Sequence, residues 1–432
     1  MRHLLALLTV TLVVPPVMAG TNDTTVTLEN VKKKLESPFH QTLLRKTYDS
    51  IRDRVTPDGY FPESLTGAYP GMFPRVSGPL ARLFIDTGNP ELAEKILHYC
   101  IQGMLDNGME RIPHVIGERT DSGSIPLVDG DDQVDGQAHV ILGWALLAQQ
   151  RGRTPFEDLS YPIAAKILDR STTEPYLSEN IGWRIHPGLV RNINLEHSRD
   201  GQFWDTYDFL TQSFIASALE NMIPIAARRC DRQHEHLWTE RLEFLNKNIA
   251  ENMTREFNGK QVYLEMLLPT GREPEPFPGI GWLNLAPIPS GWKSVDSAIF
   301  KNTIDTWHSV AQIKWNGPNV TSSDWLPDGY TDRFGKQQTD QVIGKVLGWD
   351  MVYCFRAGEY KRVCDSLDFL EQVNTHSLFA EAFSYDSETG QWKQHDPGNG
   401  EQACWWTWCM TVIREEAGLS ALPAPETSAK EQ

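Results

Sequence analysis

Helix-periodic segments, joined alternately by short turns and long loops, are the feature that most constrains the fold of this chain. Apolar residues recur at helical spacing in ten segments. These are residues 41–55, 90–107, 134–150, 161–170, 205–229, 233–256, 297–313, 339–357, 360–373 and 401–417. Short turns lie at 87–90, 151–153, 229–231 and 357–358, whereas long connections span 55–75, 108–133, 172–204, 257–293, 315–338 and 375–400.

Antiparallel helix pairs closed into a ring would produce this alternation, because all the long loops then emerge at the same end. The sequence therefore predicts an all-α protein, an (α/α)6 barrel of helix hairpins whose functional face carries the long loops. Strand signals are sparse. Residues 261–268, which read QVYLEMLL before Pro-Thr-Gly, are the best of them and predict half of a minor β-hairpin.

The first residues of the chain predict export. Arg2 precedes an apolar run from Leu4 to Val14 that is too short to span a bilayer easily. Val17-Met18-Ala19 then matches the small-x-small pattern of a cleavage site. We therefore expect a signal peptide over residues 1–19 and a secreted or periplasmic protein that does not associate with membranes after cleavage.

The remainder is expected to form one catalytic barrel over residues 20–417, followed by a disordered, Pro/Ala-rich tail over 418–432. The formal net charge of -17 argues against nucleic acid as a partner. None of the six cysteines forms a CxxC pair, and neither a metal nor a cofactor is predicted. The oligomeric state is left open by the sequence.

The long loops are rich in carboxylate, amide, guanidinium, imidazole and indole side chains. Several of the 14 Trp residues lie in them. Sugar hydroxyls require polar partners of this kind, and the C–H faces of sugars stack on Trp. The alternative is structural: Asp132 and Asp205 would cap the helices that follow them, and the Trp residues would belong to the core.

Glycoside cleavage needs one carboxylic acid and one carboxylate on opposite sides of the sugar. The candidates are Asp205, which begins the helix after the third long loop, and Glu401, which begins the last helix. A helix N-terminus favours an ionised carboxylate, which suits Glu401 as a base. Asp205 would need burial or a neighbouring carboxylate to raise its pKa, and Glu196 is a candidate for that neighbour or for the acid itself.

Two short motifs carry a resemblance to a known clan. Phe203-Trp204-Asp205, with Glu196 and Ser198 upstream, and Gly400-Glu401-Gln402 resemble motifs of the inverting (α/α)6 glycosidases that include glucoamylases and trehalases. In helix order and loop spacing the resemblance spans nearly the whole mature chain, although the longer trehalase signatures are absent. It implies that Asp205 is the general acid, that Glu401 is the base that activates water, and that the enzyme is exo-acting.

Further loop residues are candidates for binding an oligosaccharide or polysaccharide. They are Arg75, Asp132, Gln137, His197, Arg199, Trp204, Tyr207, Trp282, Trp325, Gln402 and Trp406. Arg75, Asp132, Gln137 and Arg199 would serve equally well to brace loops. Trp405, Trp406 and Trp408 cannot all face a cleft, because successive positions of a helix point apart.

Three other functions fit the same loops. A polysaccharide lyase would use Tyr207 or His197 to remove a proton next to a uronate carboxylate, which Arg199 would neutralise. A carbohydrate-binding protein on the same barrel would show binding without turnover. A sugar epimerase would need two histidines, drawn from His114, His139, His186, His197, His308 and His395.

Overall fold

The computed structural model describes residues 26–67, 71–130, 133–172, 188–192, 206–268, 275–330 and 340–425. The α-helices in this part of the chain are α1 (Leu28–Leu35), α2 (Pro38–Arg54), α3 (Ser77–Asp86), α4 (Pro90–Asp106), α5 (Val134–Arg151), α6 (Pro155–Ser171), α7 (Phe209–Arg228), α8 (Arg232–Asn252), α9 (Pro287–Ser290), α10 (Ser297–Val310), α11 (Gly344–Arg356), α12 (Tyr360–Val373) and α13 (Gly400–Glu416). Two 3₁₀ turns span Pro74–Val76 and Trp282–Leu285.

The strands are short and antiparallel. They are β1 (Val115–Ile116), β2 (Leu127–Asp129), β3 (Tyr207–Asp208), β4 (Thr254–Phe257), β5 (Lys260–Tyr263), β6 (Met266–Leu268), β7 (Glu275–Pro276), β8 (Ile280–Gly281), β9 (Asp324–Trp325), β10 (Gln341–Ile343), β11 (Ala380–Asp386) and β12 (Gln391–Pro397). They pair as β1-β2, β3-β6-β7, β4-β5, β8-β9 and β10-β11-β12.

Six helices form a closed inner ring, in which α3, α5, α7, α9, α11 and α13 each pack against the next and α13 returns to α3. The helices α2, α4, α6, α8, α10 and α12 alternate with them along the chain and form the outer layer. The predicted all-α (α/α)6 barrel is therefore confirmed. Five of the six predicted long loops lead into an inner helix, whereas the predicted loop 257–293 contains the short inner helix α9, which was not predicted.

Inner and outer helices differ in how many of their residues are buried, as their sequences predict. Every residue of α11 except Arg356 is buried, which is expected of a helix that is surrounded by others. The outer helix α8 buries only Trp238, Leu245 and Ile249, which form one apolar stripe. The core of the protein therefore lies between the layers and inside the inner ring.

The start of α7 differs from the prediction. The side chain of Asp208 caps this helix and accepts a hydrogen bond from the backbone nitrogen of Thr211 at 2.6 Å, so the helix begins at Phe209 rather than at Asp205. Asp205 itself lies outside the described residues.

The predicted hairpin is present but lies slightly earlier in the chain. Strands β4 and β5 are joined by Asn258 and Gly259, whose φ angles of 49° and 76° suit the tight hairpin turn that Asn-Gly favours. Helix α8 consequently ends at Asn252 and does not reach the expected 256. The hairpin β11–β12 lies in the predicted loop 375–400.

The predicted segments at the two ends of the chain lie wholly or partly outside the described residues. The predicted signal peptide lies outside the described residues, as do residues 426–432. Leu419 and Leu422, from the segment predicted to be a tail, pack against the core. Among the described helices, none combines the length and apolar character that a membrane span requires.

Candidate active site

The N-terminal ends of the inner helices meet at one end of the barrel, which we call the loop face. Between α5 and α7, the side-chain amide of Asn192 donates to Asp135 Oδ1 and to Thr211 Oγ1, both at 3.1 Å. Between α11 and α13, the backbone nitrogen of Lys345 donates to Gln402 Oε1 at 2.8 Å. These bonds hold the first turns of neighbouring helices together beneath the long loops.

Glu401 lies in the first turn of α13 and is contacted by two cations. Its Oε1 lies 2.8 Å from Lys345 Nζ, and its Oε2 lies 3.1 Å from Arg75 Nη2. The residue is only 3% exposed. Burial alone would raise the pKa of Glu401, but the charges of Arg75 and Lys345 outweigh burial and lower it to about 2. The carboxylate is therefore ionised at neutral pH.

The backbone around Glu401 is held by the first long loop. The Gly400 nitrogen donates to the carbonyl oxygen of Glu63, and the Glu401 nitrogen lies 3.3 Å from Glu63 Oε1. A Cβ atom on residue 400 would collide with that carbonyl oxygen and with the ring of Phe61. Glycine at position 400 therefore permits the close approach that orients Glu401.

Two indole rings flank the ammonium group of Lys345. Its Nζ lies 4.6 Å from the ring centroid of Trp282 and 5.8 Å from that of Trp349. Cation–π attraction of this kind holds the lysine in place without neutralising it. The ring of Trp282, a predicted sugar platform, thus contacts the cation that binds Glu401.

Other carboxyl groups near the loop face have raised pKa values and retain their protons more readily than Glu401 does. Burial raises the pKa of Asp135, and it raises that of Asp208 to about 6. Burial also raises the pKa of Glu381 in β11 to about 7, assisted by a hydrogen bond to Asp396 and by the charge of Glu401. A fully ionised carboxylate, Glu401, and a carboxyl group that titrates near neutral pH, Glu381, thus share one region, as acid–base catalysis requires.

The structure brings several predicted residues to the loop face. Glu401, Arg75 and Gln402 belong to one network of ion pairs and hydrogen bonds. Gln137 is buried in the first turns of α5. Arg75 forms an ion pair, which is the bracing contact expected as its alternative to sugar binding, and Gln402 accepts a hydrogen bond from the backbone of α11.

The other predicted aromatic residues in the described part of the chain pack against neighbouring side chains. Trp406 is completely buried and stacks on Phe379 with a centroid separation of 4.4 Å, so it belongs to the core, which corrects the prediction that it stacks on a sugar. Tyr207 is buried in β3 opposite Leu267. Trp325 in β9 is half-buried, at an edge-to-face angle to Phe257.

The remaining predicted residues lie outside the described part of the chain, and their roles stay predictions. They are Asp205, Glu196, Asp132, His197, Arg199 and Trp204.

The histidines suggested for an epimerase are dispersed. His114 contacts Asp129, His308 contacts Asp350, and His395 contacts Ser384, each at 2.7 Å, whereas His139 packs on Phe214. His186 and His197 lie outside the described residues. The described members of this set therefore do not form a paired site.

Two residues of this network, Lys345 and Glu63, are not predicted from the sequence. Lys345 is the only Lys in the otherwise largely apolar segment 344–356. A single lysine on a helix that is buried all around has to find a counter-charge, and that was the available signal. Glu63 lies in a long loop that was predicted to be functional, but nothing in its neighbours distinguishes it from the other loop carboxylates.

Comparisons with known proteins support the fold. No protein-family model matches the chain, and no curated protein matches its sequence. Among solved structures, a bacterial glucoamylase complexed with acarbose has a TM-score of 0.63 at 16% identity, over 91% of this chain and 57% of the glucoamylase. The chain thus spans little more than half of that enzyme's length.

Two further structures are similar. A metal-independent α-mannosidase from Streptococcus pneumoniae, in a non-productive complex with α-1,6-mannobiose, has a TM-score of 0.64 at 14% identity, over 89% of this chain and 97% of its own. A rhamnosidase from Klebsiella oxytoca with bound rhamnose has a TM-score of 0.56 at 10% identity, over 89% of this chain and 65% of its own. The chain has the (α/α)6 barrel fold that six-hairpin glycosidases share.

Proposed function

We propose that this protein is an exported glycoside hydrolase that cleaves an oligosaccharide or polysaccharide with inversion at the anomeric carbon, acting from a chain end. The observation that carries the proposal is the ionised carboxylate of Glu401 at the loop face, between Arg75 and Lys345. The similar solved structures support it, since they are glycosidases described with acarbose, mannobiose or rhamnose. Export rests on residues 1–19, and exo action rests on the clan resemblance.

Glu401 is the general base of the proposed reaction. It accepts a proton from a water molecule as that water attacks the anomeric carbon. A pKa of about 2 keeps the carboxylate ionised but makes it a weak proton acceptor in the resting site. Substrate hydroxyl groups that hydrogen-bond to Arg75 or Lys345 would weaken their ion pairs with Glu401 and raise its basicity at the moment of reaction.

Asp205 is the proposed general acid, with Glu196 as the carboxylate that raises its pKa. In an inverting enzyme, the carboxyl groups of Asp205 and Glu401 should lie about 6.5–9.5 Å apart, which leaves room for the water. Glu381 is the described carboxyl group best suited to take the role if Asp205 does not, because burial raises its pKa to about 7.

Substitution of the two carboxylates tests the proposal. Wild type would be given a mixed panel of neutral and uronic oligosaccharides, and release of reducing ends would be measured. Glu401→Gln and Asp205→Asn should each lower kcat by about 10²- to 10⁴-fold. Glu416→Gln, at the other end of α13 in an exposed ion pair with Arg356, is the matched control and should retain wild-type activity.

Each other outcome assigns a different function. Full activity of Glu401→Gln would show that Glu401 is not the general base. Full activity of Asp205→Asn, together with loss of activity in Glu381→Gln, would assign the general acid to Glu381 in β11. An unsaturated product would indicate a lyase. An epimerised product without chain cleavage would indicate an epimerase, and binding without turnover would indicate a carbohydrate-binding protein.

A further inference from the structure

A second cluster of reactive side chains lies within the barrel wall, where α10, α11 and the start of α12 meet. It consists of His308, Asp350, Cys354 and Glu359, and we call it the wall cluster. The first three are buried, whereas Glu359 is half-buried. A ring nitrogen of His308, the sulfur of Cys354 and a carboxylate oxygen of Glu359 all lie within 4.8 Å of one another.

The short distances in the wall cluster are typical of ligands that share one ion. Cys354 Sγ lies 4.0 Å from Glu359 Oε2, and it donates a hydrogen bond to Asp350 Oδ1 at 3.6 Å. Ligand atoms at the corners of a tetrahedron around zinc, with bonds of about 2.0–2.3 Å, lie about 3.3–3.8 Å apart, somewhat closer than the separations of up to 4.8 Å in the wall cluster. Small side-chain movements would therefore bring the sulfur, a carboxylate oxygen and an imidazole nitrogen onto a common centre.

Asp350 orients His308 and is not one of the residues suited to bind the ion. Its Oδ1 lies 2.7 Å from His308 Nε2, so it fixes the orientation of the imidazole ring. A carboxylate that hydrogen-bonds one nitrogen of a histidine while the other nitrogen binds metal is a recurrent arrangement at zinc sites. With Nε2 engaged in this way, Nδ1 is the nitrogen left to bind an ion.

We propose that His308, Cys354 and Glu359 bind a divalent cation of the zinc type, with Asp350 orienting the imidazole and water completing the coordination. Thiolate together with imidazole selects zinc over magnesium or calcium, which prefer oxygen ligands alone. On binding, the Cys354 sulfur forms a bond to the metal and its proton is released to solvent.

The charges of the surrounding groups are compatible with this ion. The thiolate and the Glu359 carboxylate balance a divalent cation, and Arg362, whose Nε lies 3.2 Å from Glu359 Oε2, balances Asp350. The ion pair between Arg362 and Glu359 is partly exposed, so it contributes little and can rearrange.

The position of the site indicates a structural role. Cys354 follows Lys345 by nine residues on α11, which places it about 14 Å further along the helix and on the opposite side. The ion would therefore bind on the face of α11 that is turned away from Glu401. Because its ligands come from α10, α11 and the N-cap of α12, it would tie two outer helices to one inner helix.

Cobalt titration of the full-length protein tests the proposal, since Co²⁺ occupies zinc sites and gives a sulfur-to-metal charge-transfer band when a thiolate binds it. The metal-free protein should bind one equivalent with such a band. Cys354→Ser should abolish the band, and Zn²⁺ should displace the Co²⁺. Cys230→Ser, which removes the exposed thiol, and Cys364→Ser, which removes another buried thiol, are the matched controls and should retain the band.

A second measurement separates binding from folding. Zn²⁺ should raise the Tm of wild type and of Cys364→Ser, but not that of Cys354→Ser or His308→Gln, because a ligand stabilises only the state that binds it. Circular dichroism without metal should be the same for all variants. Absence of a thiolate band in wild type, or a band and a Zn²⁺-induced Tm increase that persist in Cys354→Ser, would overturn the proposal.

Discussion

Lys345 Nζ and Glu401 Oε1 lie 2.8 Å apart, which joins the first turns of α11 and α13 through a buried ion pair at the loop face. Arg75 contacts the other oxygen of the same carboxylate. A buried anion with two cations can neither be protonated easily nor rotate freely. The arrangement therefore sets both the charge and the direction of the proposed base.

Removal of one cation should shift the pH dependence of activity. In Lys345→Met the ionised form of Glu401 loses one source of stabilisation, so its pKa rises from about 2. The acid limb of kcat/KM should then move to higher pH by about 1 to 3 units. Arg356→Gln, at the exposed end of the same helix, should leave the limb in place. An acid limb that is identical in Lys345→Met and wild type would show that Glu401 does not govern it.

The close approach at Gly400 should be intolerant of a side chain. Gly400→Ala would place a Cβ atom against the Glu63 carbonyl and the Phe61 ring, so loop or helix must move. Stability should fall by about 1–3 kcal/mol. Activity measured on the folded fraction should fall as well, because Glu401 is displaced from its cations. Urea unfolding and kcat would check this, and a variant unchanged in both would contradict the packing described.

Trp406 and Trp282 should respond differently to truncation. Trp406→Ala empties a core position and should lower the free energy of unfolding by about 3–5 kcal/mol, without changing KM for the folded fraction. Trp282→Leu removes a ring beside Lys345 and should change kcat/KM. Chemical unfolding paired with steady-state kinetics distinguishes the two. A raised KM in Trp406→Ala with unchanged stability would restore its predicted role as a sugar platform.

Asp208 should make stability depend on pH. Burial raises its pKa from 3.8 to about 6, so the folded protein holds this proton more tightly than the unfolded chain. Its contribution is fully present below the lower pKa and is lost as pH rises through the upper one. Asp208→Asn retains an acceptor for the Thr211 nitrogen and should flatten this slope between about pH 4 and pH 6. An identical slope in urea unfolding of the variant would assign it to another group.

Much of the fold could be predicted because the spacing of apolar residues along each helix follows which of its faces are buried. Outer helices such as α4 show a clear apolar stripe, and the turn at Asn258–Gly259 carries its own conformational signature. Helix α3 was missed because it is short and contains Gly78 and Pro79, which weaken any helical prediction. The hairpin β11–β12 was missed because its second strand is polar apart from Trp392 and resembles a loop.

The candidate site was less predictable, because its central contacts join residues far apart in the chain. Glu401 could be found from its position at a helix start and from the motif around it. Its cations could not be assigned to it, since Arg75 and Lys345 come from separate loops and helices that only the closed ring brings together. Trp406 illustrates the converse: composition identifies an aromatic residue, but only packing shows whether it faces a ligand or the core.

Time-resolved proton NMR of wild type and Glu401→Gln with the oligosaccharide panel tests the central claim most directly. The proposed mechanism predicts new reducing-end anomeric signals in wild type, with the first anomer inverted relative to the bond that is cleaved, and no such signals in Glu401→Gln. A first product of retained configuration, an olefinic proton, or equal turnover by Glu401→Gln would contradict it.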